Sequence, residues 1–309
     1  MIIQENGEIA DGIYSLGSTW APLFLIDGEN PVLIDAGFSF LGEIYAQEIR
    51  KITGTRQPSC LVLTHAHFDH CGAAGVLKSI FPKLKIAASA KAKKILQRPN
   101  AVKLIKQLNK EAADGARESG LDLGLKDWRS FEPFEVDITL KEGSTIRISE
   151  NCILKALETP GHTWDCLSYY IDPQKALFTG EAAGIAGHNG HIYSEWLVDY
   201  DSYYKSLKKL SQLDVMVLGP GHNFIFTEKD ARQYLQASLK ECVKYLALIV
   251  NCLAEENKDL QQVANRIKKL EYDQQPEPKQ TESAYMLNLK ARIKTVLRRV
   301  EKEEKMAKK

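Results

Sequence analysis

The sequence predicts an α/β protein with a helical insert and an all-helical carboxy-terminal extension, and three observations carry that prediction. Short apolar runs bounded by turn residues recur in two groups within residues 1–227. Helical spacing separates the two groups, and beyond residue 228 only helical spacing is left. In the first group, Gly12–Leu16 and Pro22–Ile26 read as strands, followed by a turn at Asp27–Asn30 and a strand at Val32–Asp35. Ser39–Ile52 places Leu41, Ile44, Tyr45 and Ile49 at helical intervals. Cys60–Leu63 is short, apolar and continuous, as expected of a strand buried on both faces. The second group comprises Thr145–Ile148, Ile153–Leu157, Leu167–Ile171, Ala176–Phe178 and Val215–Leu218. Such alternation suggests sheets layered with helices.

Between the groups, Ser89–Ser119 is rich in Lys and Ala and reads as two helices broken near Pro99. At the far end, Thr227–Asp230 has the form of a capping box. Leu235, Leu239, Cys242, Leu246, Ile249 and Leu253 follow in steps of four and three. A linker at Gln274–Pro278 precedes a helix carrying Met286, Leu289, Ile293, Val296 and Val300. The expected organisation is therefore a core domain, 1–227, with an insert at about 89–119, and a helical extension, 228–309.

Composition excludes some classes of function. A formal net charge of +1 offers no global field for nucleic acid or a membrane surface. No apolar run approaches the ~20 residues that span a bilayer, and Met1–Asn6 lacks the basic start of a signal peptide. Six cysteines (Cys60, Cys71, Cys152, Cys166, Cys242, Cys252) form no CxxC pair. Cys60, Cys152 and Cys166 lie in or beside apolar runs, as buried thiols do. A reduced, cytoplasmic protein is expected.

The chemistry is concentrated in His65-Ala66-His67-Phe68-Asp69-His70, directly after the buried strand. Two histidines two residues apart in extended chain point the same way and can grip one ion. Asp69 and His70 fall where the chain turns into a helix, and so approach from another direction. Mixed imidazole and carboxylate donors suit zinc, iron or manganese better than calcium or magnesium. A histidine-rich surface loop without metal is the alternative, and it fits poorly at the end of a buried strand. Three more candidates stand at strand ends: His162 in Thr159–Thr163, Glu181 after Gly180, and His222 in Gly219–His222. Loops converge at strand ends while the sheet stays rigid.

As a set, HxHxDH, PGHT, a strand-end acid and GPGH resemble the metallo-β-lactamase superfamily over roughly residues 10–226. The resemblance implies an αββα sandwich holding two divalent ions, zinc foremost, with iron or manganese as alternatives. It places His65, His67 and His162 on one ion and Asp69, His70 and His222 on the other. Glu181 stands where the family usually has a bridging aspartate. Asp35 matches an aspartate that supports the metal loop without binding metal. The helical insert, Asp69–Gly72 and the helical extension are similar in layout to a thioesterase branch of the family.

That branch implies hydrolysis of an acyl thioester such as an acyl-CoA by a metal-bridging hydroxide, with Asp69 orienting the nucleophile. A lactonase or phosphodiesterase on the same site is the first alternative, and a metal-binding regulatory protein with little turnover is another. The expected partner is a small molecule, with no nucleic acid and no membrane; a homodimer is allowed for. His188 and His191 lie in a loop that could face substrate or solvent. Trp20, Tyr193 and Trp196 are candidate pocket walls or core. Lys290, Arg292, Lys294, Arg298 and Arg299 are read as a solvated basic helix face or as a charged part of a cap over the site.

Overall fold

The apolar runs become strands β1 (Ile2–Ile3), β2 (Gly7–Ala10), β3 (Ile13–Leu16), β4 (Leu23–Ile26), β5 (Val32–Ile34), β6 (Cys60–Val62), β7 (Lys85–Ser89), β8 (Ile138–Leu140), β9 (Thr145–Ser149), β10 (Cys152–Glu158), β11 (Leu167–Asp172), β12 (Ala176–Gly180), β13 (Ile185–Ala186), β14 (Ile192–Tyr193), β15 (Val217–Pro220) and β16 (Ile225–Thr227). The helices are α1 (Gly42–Thr53), α2 (Phe68–Cys71), α3 (Ala74–Ile80), α4 (Ala90–Leu96), α5 (Pro99–Glu118), α6 (Tyr200–Leu210), α7 (Glu228–Glu255), α8 (Leu260–Glu271) and α9 (Glu282–Ala307). This computed structural model describes residues 1–276 and 279–307, so Glu277 and Pro278 of the expected linker lie outside the described residues. Two compact units result. The first comprises Met1–Glu158, Asp165–Gly180 and Asp214–Ala231; the second comprises Thr159–Trp164, Glu181–Leu213 and Arg232–Lys309.

Both seven-stranded sheets belong to the first unit. One runs β2-β3-β4-β5-β6-β7-β8 and the other β1-β16-β15-β12-β11-β10-β9. Strand alternation sorts the side chains of β4 to opposite faces. Phe24 and Ile26 join Val62, Leu154, Tyr169 and Phe178 in a cluster contributed by both sheets. Leu23 and Leu25 join Leu61 with Tyr45 and Ile49 of α1, Leu77 of α3 and Ile105 of α5. β6 lies between parallel neighbours β5 and β7, which is why Cys60–Leu63 reads as a continuous apolar run. β1, β2, β7, β13, β14 and β16 are absent from the expected strands, as is β8, which pairs parallel with β7. β8 is three residues long and only partly buried, so it offers no periodicity to read.

The insert follows its local signals. Ser89 accepts from Ala92 N at 3.1 Å to start α4, and Pro99 opens α5 without losing a hydrogen bond. Asn109 of α5 is buried and docks the insert: its Nδ2 donates to Phe68 O at 3.0 Å, and its Oδ1 accepts from Ser39 N at 2.8 Å. The expected capping box at Thr227 is not built. Thr227 instead donates its hydroxyl to Met1 O at 3.2 Å, and Asp230 pairs with the Met1 amine at 2.8 Å.

In the second unit, β13 and β14 form a short antiparallel ribbon. α6 starts on Asp199, which accepts from Ser202 N at 2.7 Å, and α8 starts on Asp259 in the same way. No described helix is long and apolar enough to cross a membrane.

Candidate metal centre

Within the first unit the motif after β6 is held by Asp35, which follows β5 at φ +57°, a left-handed conformation uncommon for a residue with a side chain. Its Oδ1 accepts from Thr64 N at 2.7 Å, and its Oδ2 accepts from Thr64 Oγ1 and from His70 Nδ1, both at 2.8 Å. Thr64 Oγ1 lies 3.0 Å from His65 Nδ1. That hydroxyl has one proton, already given to Asp35, so it accepts from an Nδ1–H of His65. His67 is half-buried and its carbonyl accepts from the N–H groups of His70 and Cys71, opening α2. From the other sheet, His222 follows β15 and its Nδ1 donates to Trp20 O. The ring centroids of His65 and His67 are 4.5 Å apart, those of His65 and His70 4.4 Å, and those of His70 and His222 5.2 Å.

In the second unit His162 and Glu181 are both buried. His162 Nδ1 donates to Glu195 O at 2.7 Å. Glu181 opens a single 3-10 turn, Glu181–Ala183, and its carbonyl accepts from Tyr203 Oη at 3.2 Å. Gly161 turns the chain at φ +136°, and a Cβ there would lie 2.3 Å from Tyr203 N and Cα. Gly161→Ala should therefore push α6 away and cost about 2–3 kcal/mol. Urea denaturation will check this, and a midpoint within error of the parent would contradict the close approach.

The donor set fits divalent ions. His65, His70, His162 and His222 each give their Nδ1–H to a protein acceptor, which leaves the lone pair on Nε2, the tautomer a metal-binding imidazole needs. Asp69 Oδ2 stands 3.7 Å from His222 Nε2, and Glu181 Oε2 stands 3.9 Å from His162 Nε2. Both separations are too long for hydrogen bonds. Both lie within the ~4.2 Å that separates, at most, two donors each ~2.1 Å from one ion. In the first unit, donor atoms of Asp69, His70 and His222 lie within 4.8 Å of one another, as do those of His65 and His67.

The remaining candidates sort by environment. Trp196 is fully buried and belongs to the core, whereas Trp20 is half exposed, stacked on Phe38 at 5.2 Å. Tyr193 is half-buried with the ring of His191 edge-on at 4.7 Å. His191 pairs with Glu271 at 3.2 Å. The basic run on α9 is not one solvated face: Arg292 is fully buried, Arg299 pairs with Asp201 and Glu303, and Lys290 and Lys294 are exposed. Three supporting residues escape sequence reading. Thr64 links Asp35 to His65; Asp165 accepts from Ala66 N at 2.9 Å; Tyr203 holds Glu181. Asp165 stands three residues after His162, and that proximity in sequence was the one available signal.

Two sheets that carry oriented imidazoles at their strand ends are an arrangement suited to a metal-dependent hydrolase. Residues 22–222 match the metallo-beta-lactamase superfamily, and the chain belongs to it. The metallo-beta-lactamase fold-containing protein ST1585 of Sulfurisphaera tokodaii is 26% identical over 224 residues, covering 72% of this chain and 79% of that protein. The crystal structure of ST1585 superposes with a TM-score of 0.58 at 20% identity, covering 93% of this chain and 98% of that one. An atrochrysone carboxyl ACP thioesterase of Aspergillus fumigatus is 28% identical over 167 residues, 54% of this chain and 39% of that protein. A hydroxyacylglutathione hydrolase of Francisella tularensis subsp. novicida is 24% identical over 190 residues, 62% of this chain and 57% of that enzyme. The chain thus spans about half the length of these last two relatives.

Proposed function

We propose that the chain hydrolyses an acyl thioester of the acyl-CoA type. In this reading His65, His67 and His162 hold one divalent ion, and Asp69, His70 and His222 hold a second. Glu181 would supply a further acidic ligand, and zinc is the preferred metal. The observation that carries the metal assignment is the shared tautomer of four histidines together with the two histidine–carboxylate separations near 4 Å. Two relatives named for hydrolysing an acyl-carrier thioester and a hydroxyacylglutathione support the substrate class.

When bound, divalent ions supply Lewis acidity and a water acidified to near-neutral pKa. Asp69 would help to hold one of the ions and would be the carboxylate placed to orient a nucleophilic water and accept its proton. Asp35 and Thr64 keep His65 and His70 in the donor tautomer throughout. A thiolate leaves with little acid assistance, which agrees with the absence of a further general acid from the motifs. The six cysteines are buried and none forms a disulfide among the described residues, which supports a reducing, cytoplasmic setting.

The test is a substrate panel on metal-reconstituted protein: acyl-CoA and acyl-glutathione thioesters, lactones and phosphodiesters, with metal content measured in parallel. A kcat/KM for a thioester at least ~10²-fold above the other classes, a margin of about 2.7 kcal/mol, is the expected result. Turnover of lactone or phosphodiester alone overturns the substrate class, and failure to bind any transition metal overturns the whole reading.

A further inference from the structure

Ser194-Glu195-Trp196 contains no proposed ligand, yet all three residues are tied to α9. Arg292 Nη1 donates to Ser194 O at 3.2 Å and stands 3.4 Å from Glu195 Oε1. Asn288, one helical turn earlier, donates Nδ2–H to Glu195 Oε2 at 3.3 Å. Trp196 Nε1–H donates to Arg292 O at 3.4 Å. Arg292 and Trp196 are 0% exposed and Glu195 is 1% exposed.

A buried guanidinium needs counter-charge, and here it has two carboxylates. The second is Glu271 of α8, whose Oε2 lies 3.7 Å from Arg292 Nη2. Tyr245 and Tyr285 donate to Glu271 Oε2 at 2.9 and 2.5 Å, and their rings lie 5.1 and 5.7 Å from the guanidinium carbon. Burial raises the Glu271 carboxyl, but Arg292 and the bonds from His191 and Tyr285 outweigh it and hold the group below its ordinary range. Arg292 is therefore a fixed post, held by α7, α8 and its own helix.

From the opposite side the same three residues reach two proposed ligands. Glu195 O accepts the Nδ1–H of His162, which sets both the tautomer and the ring direction. Glu195 N–H donates to Tyr203 Oη at 3.3 Å, and that hydroxyl donates onward to Glu181 O. Rotation of the 194–196 backbone would turn the His162 ring and release Glu181 together.

We propose that Arg292 and Asn288 are positioning residues for metal retention: by clamping Ser194–Trp196 they aim His162 and Glu181, making α9 a working part of the metal site. This rests on the assignment of those two residues as ligands. It is a different role for Arg292 from attraction of a charged substrate, because its charge is consumed internally.

The test reads metal affinity of the full chain by competition with a chromophoric zinc chelator, together with the His162 Nδ1–H proton resonance in metal-free protein. Arg292→Met should weaken zinc retention ~10–100-fold, the range for partners behind a ligand, and should shift or broaden that resonance. Arg292→Lys keeps the charge but not the planar fork, and should recover part of the affinity. A purely structural role would lower the melting temperature while leaving the affinity of the folded protein unchanged. Should Arg292→Met fail to fold, Asn288→Ala decides: it removes one hydrogen bond at a half-buried site, and a several-fold affinity loss is expected. Parent-like affinity and an unmoved resonance in a folded variant overturn the proposal. Parent protein that binds zinc but turns over no thioester overturns the substrate class and leaves the clamp standing.

Discussion

A His67→Ala protein is expected to fold like the parent and to lose at least ~10³-fold in kcat/KM, with metal content reduced. The loss corresponds to about 4 kcal/mol of the charge stabilisation a bound metal supplies. Survival of the fold follows from where His67 sits. It is half-buried, on the turn between β6 and α2, and its structural contribution is a backbone carbonyl that accepts from His70 and Cys71. Alanine keeps that carbonyl. The cores of the first unit lie elsewhere, among side chains such as Phe24, Val62, Leu154 and Phe178 on one face and Tyr45, Leu61 and Leu77 on the other. Metal analysis, circular dichroism and steady-state kinetics on one preparation will check it. Parent-like turnover in a well-folded His67→Ala protein would remove His67 from the ligand set.

Glu181→Ala is expected to lower the occupancy of one metal position and to reduce kcat by ~10²–10³, with the other ion retained. The magnitude is that of losing one oriented group around the developing charge. Glutamate in place of the family's usual aspartate moves the carboxylate ~1.5 Å further from the backbone, one carbon–carbon bond. Gly180 takes φ +51°, and Glu181 opens a 3-10 turn that Gly184 N–H closes onto Glu181 O at 2.9 Å. The side chain is buried, with Oε2 3.9 Å from His162 Nε2. Glu181→Asp should bind the weaker ion less well, because its carboxylate reaches ~1.5 Å less far from the same backbone. Stoichiometric metal analysis, with kcat measured at saturating substrate, separates these outcomes. A Glu181→Ala protein that keeps both metals and near-normal turnover would leave the site to the histidines and Asp69.

Much of this centre was legible in the sequence because its signals are local. His65 and His67 share a face through the two-residue period of extended chain, and the apolar run before them marks a buried strand. Pro99 divides α4 from α5, and periodic apolar residues announce α7 and α9. Three readings failed for physical reasons. β8 is too short and too exposed to show alternation. Thr227–Asp230 has the spacing of a capping box, yet both side chains bind Met1, 226 residues away in sequence from Thr227. Arg292 sits in a run of basic residues, which composition alone cannot separate into buried and solvated members.

What the sequence by itself determined is a set of candidate donors and their places at strand ends, since motif spacing and apolar runs are properties of neighbouring residues. What only the tertiary structure decided is how those donors are aimed. His70 takes its tautomer from Asp35, 35 residues away in sequence; His162 from the carbonyl of Glu195, 33 residues away; and His222 from the carbonyl of Trp20, 202 residues away. Two of those acceptors are backbone carbonyls, which every residue possesses, so no side-chain pattern can single them out. The burial of Arg292 between Glu195 and Glu271 belongs to the same class, because three helices and a loop must pack before a charge so placed becomes favourable.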